Sequence, residues 1–352
     1  MGKIDLFVDE ANWWDILAKP KIKEFYVCFS RQRNDNKKFL LSYLKIAYQN
    51  SNWEEVVRIK EELNVMLKAD AYGFIVRSRH NQNVEEEAAS LYHAANEVRS
   101  NRNNIPKLKI EDRVVTDPKI IEGHVVHFFN ALFNGHHDQD LVDTGVSFVP
   151  DNSFLAEMLS GLTSMDKADS EKMHSDIDME ELDEIITKCP NNKSPGLDGL
   201  CYEFYKVTWP IIRSTFIRVL QCQLDRCSII SSNREGVTRL LPKVSGVPTV
   251  TDLRPVTLLN CDYRILSKFL VKRMKPVLPS VIRSGQLCTV GRRNILFGTS
   301  NILSSISYIK QKNLKACLVS LDFYKAYVRV LISFLLKVLH KMGFSATSWS
   351  QN

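Results

Sequence analysis

The stretch that most limits the fold is Cys317-Leu318-Val319-Ser320-Leu321-Asp322-Phe323-Tyr324-Lys325-Ala326-Tyr327. Cys317, Val319, Leu321 and Phe323 alternate with Leu318, Ser320 and Asp322. A period of two predicts a strand with the first set on a buried face and Asp322 on the other. A carboxylate at the end of an apolar strand is costly to bury alone, so a cation or donor is expected beside it. The plainer alternative is an Asp that caps the next helix. Val330, Leu331, Phe334, Leu335, Val338, Leu339 and Met342 then recur at helical spacing, and Gly343 is a natural stop. Lys325, Arg329, Ser333, Lys337 and Lys341 are each four apart and form a basic stripe, which taken alone is a solvated face.

Charge narrows the function classes. The net charge of +7 is unevenly spread. Residues 151–200 carry 12 acidic and 4 basic side chains, whereas residues 201–300 carry 5 acidic and 16 basic. Such a concentration of positive charge suggests a polyanionic partner, most often nucleic acid. No apolar run reaches the eighteen or so residues of a membrane span. The start has neither a signal-peptide core nor a myristoylation motif, so a soluble, intracellular chain without membrane contact is expected. The 8 cysteines show no Cys-x-x-Cys pair and read as free thiols. His124, His127, His136 and His137 lack nearby cysteines and read as structural or surface residues.

In chain order, residues 1–100 read as mostly helical. Lys37 to Ala47, Trp53 to Leu67 and Val84 to Val98 have helical apolar spacing, and Arg77-Ser78-Arg79-His80 is a basic connection. Residues 101–150 look looser, with one short helix from Ile120 to Phe133. Gly135 to Ser175 has a linker's composition. Asp178 opens a helix, with Glu181 placed for a capping box, and this helix ends before Pro190. The turn-rich run Asn191 to Gly199 lacks phosphate-loop spacing and reads as a connector. A helix is predicted from Pro210 to Leu224, with its proline in the first turn. Thr238–Lys243 and Leu253–Leu259 read as an edge hairpin that presents Lys243 and Arg254 together. Tyr263 to Met274 reads as a basic helix ended by Pro276 and Pro279.

Several of these segments, taken in order, resemble the reverse transcriptase of non-LTR (LINE-type) retrotransposons. They are Lys193-Ser194-Pro195-Gly196-x-Asp198-Gly199, Leu241-Pro242-Lys243, Leu253-Arg254-Pro255-Val256-x-Leu258-Leu259-Asn260, Asp262-Tyr263-Arg264-Ile265-Leu266-Ser267-Lys268, Gln286, Gly291-Arg292 and Leu321-Asp322-Phe323-x-Lys325-Ala326-Tyr327. Residues 20–135 resemble the family's helical extension, including Arg77-Ser78-Arg79. The resemblance implies an α+β chain: a mostly helical N-terminal region, then a partial right-hand polymerase. Its expected divisions are 1–135 extension, 136–175 acidic and polar linker, 176–315 fingers and 316–352 start of the palm. It implies RNA-directed DNA synthesis with an RNA template, a DNA primer and Mg²⁺. Asp322 would be the first metal-binding catalytic carboxylate, with the Phe323 carbonyl beside the same ion. Tyr327 would stack under the sugar. Lys243 and Arg254 would meet the incoming triphosphate. Arg77, Arg79, Lys193, Arg264, Lys268, Lys272, Arg273 and Arg292 are the candidate nucleic-acid contacts.

Three departures shape the expectation. Val328 stands where the family usually has an acid. Arg293-Asn294-Ile295-Leu296 lacks the family's aspartate after Gly291-Arg292. There is no Asp-Asp pair, and beyond Asp262 the sequence contains no acidic residue except Asp322. Two-metal phosphoryl transfer needs a further carboxylate. The expected chain is therefore a truncated reverse transcriptase fragment, inactive alone, without the rest of the palm, the thumb or a preceding endonuclease. A non-catalytic RNA-binding module is the competing class, and a plain helical scaffold is a third.

Overall fold

A computed structural model describes residues 9–78, 105–133, 152–322, 330 and 332–344. The chain is mixed α+β, mostly helical with small sheets. In order it forms α1 (Glu10–Trp13), a π-helical turn (Trp14–Ala18), α2 (Lys19–Gln49), α3 (Trp53–Ser78), β1 (Leu108–Ile110), β2 (Arg113–Val115) and α4 (Pro118–Phe133). Then follow α5 (Asn152–Ser160), α6 (Lys167–His174), α7 (Met179–Lys188), α8 (Tyr202–Asp225), β3 (Val237–Pro242), β4 (Leu253–Leu258), α9 (Cys261–Val281), α10 (Ile295–Gln311) and α11 (Ile332–Lys341). Among the described residues the sheets are two antiparallel pairs, β1–β2 and β3–β4. The reading of 84–98 as a helix lies outside the described residues.

The main core lies between α7, α8 and α9, where apolar residues at helical spacing meet: Leu182 and Ile186, Phe216 and Leu220, Ile265 and Phe269. Phe216 is its hub. The Trp14 ring meets it edge-on at 5.4 Å, Tyr205 lies at 5.3 Å and Trp209 at 6.0 Å. Ala11 and Trp14 are buried in this same core, so the N-terminal segment is part of the layer that the sequence assigned to the fingers. A second cluster joins α4 and the β1–β2 hairpin to the inner face of β3–β4 through Leu108, Phe129, Leu253 and Leu240. The Lys109 amide donates to the Pro248 carbonyl at 2.9 Å, which ties the two hairpins. A third cluster sets Met165 against Val277, Val281, Met342 and Phe344. α2 and α3 form an antiparallel helical hairpin sealed by Ala47, Val56, Ile59 and Leu63.

Several sequence expectations need correction. Leu314 to Asp322 is exposed coil rather than a strand, with Leu321 84% exposed. Among the described residues no strand runs beside it, so its backbone has no ladder to join and its alternation no face to bury. The helix assigned to Pro210–Leu224 begins eight residues earlier, and Pro210 lies inside α8. Likewise Pro276 and Pro279 lie within α9 instead of ending it. Each proline removes one N–H. The carbonyls left over belong to Lys206, Lys272 and Lys275, none of them buried, where water can replace the bond. The capping box at α7 is absent: Asp178 is the N-cap without a side-chain bond, and Glu181 instead receives Arg273. Within the span read as a linker, 152–174 forms α5 and α6, and the Met165 amide bonds the Met342 carbonyl at 2.9 Å. α11 does form at the predicted apolar spacing, and Gly343 at φ +93° turns the chain after it.

Candidate nucleic-acid interface

The β3–β4 hairpin arises from two short apolar runs whose inner residues, Leu253 and Leu240, pack on Phe129 and its neighbours. Its register pairs Leu241 with Arg254 and Pro242 with Leu253. Because side chains alternate, Leu241, Lys243 and Arg254 share the outer face. The Lys243 amide donates to the Asp252 carbonyl at 2.9 Å, which extends the ladder one step past the strand. Lys243 and Arg254 are thus diagonal neighbours, a relation that puts such residues about 7–8 Å apart, their Cβ atoms somewhat closer. Both are exposed. The same face carries Arg239, Val256 and Leu258.

A second basic group surrounds Tyr202 at the start of α8. Arg264 lies over the Tyr202 ring at 4.8 Å and donates to the Ser194 carbonyl at 2.8 Å. The Lys268 ammonium sits 5.8 Å from the same ring. Lys206, which sequence reasoning passed over, donates to the Asn191 side chain at 2.7 Å. Burial pushes the Tyr202 hydroxyl up to about 12, against the opposing effect of Arg264. Burial likewise raises the Cys189 thiol, opposed by Lys268, Lys206 and Arg264. These cations therefore share one neighbourhood with Lys193, which is exposed on the adjoining loop. Asp198, on the same loop, is held above the usual carboxylate range by burial, with the Lys19 ammonium opposing and Asp262 adding to the rise.

Other expected contacts are placed differently. Arg273 is 6% exposed and is not available to a partner. Its guanidinium bonds Glu181 at 2.7 and 3.1 Å, the Asp176 carbonyl at 2.8 Å and the Ser175 carbonyl, and lies 4.3 Å over the Phe269 ring. The basic spacing on α9 placed it on the surface, but its position on the helix faces α7. Lys272 is paired with Glu184. Arg292 is exposed at a left-handed turn, φ 64°. Its neighbour Arg293 caps the end of α9, donating to the carbonyls of Ile282 at 2.7 Å and Pro279 at 3.1 Å. The Arg77 side chain, Arg79, Phe323 and Tyr327 lie outside the described residues. Asp322 is described and exposed. Among the described residues no three His, Cys, Asp or Glu side chains group as metal ligands.

The sequence pattern of the family described as Reverse transcriptase (RNA-dependent DNA polymerase) matches residues 241–352. That span opens at the β3 end that carries Lys243 and includes Arg254, Arg264 and Asp322. The chain resembles the reverse transcriptase of a non-LTR retrotransposon. A second comparison agrees over nearly its full length. The chain is 30% identical to the Transposon TX1 uncharacterized 149 kDa protein of Xenopus laevis, over 97% of this chain and 26% of that protein. It thus spans about a quarter of that relative's length. The similarity to that transposon protein thus also takes in most of the chain upstream of residue 241. Reverse transcriptases as a family bind a nucleic-acid template and use a divalent metal. The described residues do not make up a two-metal centre, since exposed Asp322 belongs to no group of three metal-ligating side chains among them. No helix among them is long and apolar enough to cross a membrane.

Proposed function

We propose that this chain supplies the helical extension, the fingers and the opening of the palm of a LINE-type RNA-directed DNA polymerase, divided at 1–135, 136–175, 176–315 and 316–352. The β3–β4 register carries the reading. It sets Lys243 and Arg254 on one exposed face, where a point charge and a planar fork suit a triphosphate. Lys193, Lys206, Arg264 and Lys268 then serve RNA template and DNA primer through phosphates, with little sequence preference. Mg²⁺ is the metal proposed, and the chain is proposed to work inside the cell.

Residues 1–352 by themselves grip nucleic acid and do not polymerise. Two divalent ions a few Å apart repel each other, and one exposed carboxylate cannot hold both. Titration of labelled single-stranded RNA at several salt concentrations tests the grip. The log of affinity should fall linearly with log salt, with a slope of about −0.7 per phosphate neutralised. Lys243→Ala with Arg254→Ala should weaken triphosphate binding. Salt-independent RNA binding would refute the reading. Primer extension with Mg²⁺, an RNA template and four deoxynucleotides should give no product from the purified chain. Robust extension that is lost on Asp322→Ala would show that a second carboxylate is supplied from elsewhere in the chain or by another copy.

A further inference from the structure

We infer that Lys19 is the positioning residue of the finger loop 191–200: its ammonium, brought in by the N-terminal segment, lets two buried aspartates stand side by side and so fixes where Lys193 and Arg264 are presented. The inference rests on the nucleic-acid reading for the use of that loop, and on its own geometry for everything else. Lys19 Nζ reaches Asp262 Oδ2 at 2.6 Å, Asp198 Oδ2 at 3.2 Å and Ser232 Oγ at 2.8 Å. The three side chains Lys19, Asp198 and Asp262 are 5%, 7% and 1% exposed. The ammonium thus donates to Ser232 Oγ and pairs with both carboxylates by charge, while Asp198 Oδ2 itself receives no hydrogen bond.

The surrounding bonds show what this contact holds. Asp262 also accepts the Trp14 indole N–H at 3.2 Å and the Tyr263 amide at 2.8 Å. Asp198 accepts the Leu200 amide at 3.0 Å, which closes the loop on itself. Asn260, 1% exposed, accepts the Asp198 amide at 3.3 Å and donates to the Ser232 carbonyl at 2.8 Å. Asp15 accepts the Ser232 amide at 3.1 Å. Gly196 lies so close to Asn260 that a Cβ would fall 2.5 Å from its backbone nitrogen. The loop is therefore pressed against the start of α9, and its carboxylate points at a second carboxylate. Among the described residues, Lys19 is the cation paired with both. Taking the ammonium away leaves two like charges within one ammonium's reach of each other, without water to screen them.

The charged groups facing Asp198 are Lys19 and Asp262, with Tyr205 and Cys261 as further titratable neighbours. Removing Lys19 removes the influence that opposes the rise in the Asp198 carboxyl. A carboxyl raised in the folded state binds its proton more tightly there than in the open state. Docking of the loop then strengthens as pH falls and is lost as pH rises through the folded value. Loss of Lys19 should therefore make loop order depend on pH, which loss of packing alone would not do.

The test uses the full chain in four forms: wild type, Lys19→Met, Lys19→Arg and Lys19→Met with Asp262→Asn. Amide exchange at 193–200 and salt-dependent binding of a single-stranded RNA are read from pH 5.5 to 7.5. Lys19→Met should speed loop exchange at pH 7.5 by about tenfold or more, recover protection toward pH 5.5, and shallow the RNA salt slope by about one or two contacts. Lys19→Arg and the double variant should restore protection at pH 7.5. If Lys19→Met does not fold, the double variant decides: a protected loop supports the inference, and a loop that exchanges freely overturns it. Wild-type protection in Lys19→Met, flat with pH, overturns it as well. Absence of RNA binding by the wild type would remove the nucleic-acid reading, while the exchange data would still decide the role of Lys19.

Discussion

Arg273→Met tests whether the main core is held by a buried guanidinium. The substitution keeps much of the apolar stem but removes every donor. Glu181, whose side chain is 22% exposed, loses its bidentate partner, and the Ser175 and Asp176 carbonyls lose theirs. Breaking a buried pair from one side costs about 3–5 kcal/mol. Loss of the cation over Phe269 adds about 1 kcal/mol, and rotation of Glu181 into water returns part of the total. A net loss of about 4 kcal/mol is expected. With a urea slope of about 2–3 kcal/mol/M, the unfolding midpoint should fall by about 1–2 M with its slope unchanged. Arg273→Lys, which keeps the charge but not the fork, should lose about half as much. The salt slope of RNA binding should be untouched in folded Arg273→Met and reduced in Lys268→Ala. A loss below about 1 kcal/mol, or a changed salt slope, would refute the burial argument.

Gly196→Ala should destabilise the chain by about 1–3 kcal/mol in a thermal or urea melt, because the added carbon meets Asn260 backbone that cannot move aside. Phe216→Ala, which empties the hub of the core, should cost about 3–5 kcal/mol by the same measurement. Lys188 and Lys272 hold the Glu184 carboxyl down at about 2, so its contribution is present above the ordinary Glu value and is lost as pH falls toward 2. Acid titration of Glu184→Gln should accordingly show a flatter stability profile between about pH 4.5 and 2 than the wild type.

The helices were legible because their apolar residues keep a 3.6 period whatever surrounds them, as in α7, α9 and α11. The β3–β4 pairing was legible from two short strand-like runs and a Gly/Pro/Thr-rich connection. Helix ends were less so. Pro210, Pro276 and Pro279 read locally as boundaries, but each leaves over the carbonyl of a residue that is not buried, which water can reach. Glu181 read locally as half of a capping box, but a distant guanidinium competes for it more strongly. The strand at 317–323 had the right alternation, yet a strand needs a neighbour, and alternation alone does not supply one. Within the candidate interface, exposure separated Arg292 from Arg293 and Lys268 from Arg273, and charge counting could not. Lys19 gave no local signal, because its carboxylate partners come from the 191–200 loop and the first turn of α9, far along the chain.

The insertion of Trp14 and Lys19 into a core built from α7 to α9 has a consequence for synthesis. Trp14 and Asp262 are separated by 248 residues. At ribosomal speeds of about 5–20 residues per second, the N-terminal segment waits roughly 12–50 s before the carboxylate it meets has been made. During that interval α2 and α3 can already pair, since their contacts are local, but the indoles of Trp13 and Trp14 have no core to enter. The segment around Trp14 is therefore made before the core it enters, and closure of the α7–α9 core is timed by the emergence of α9.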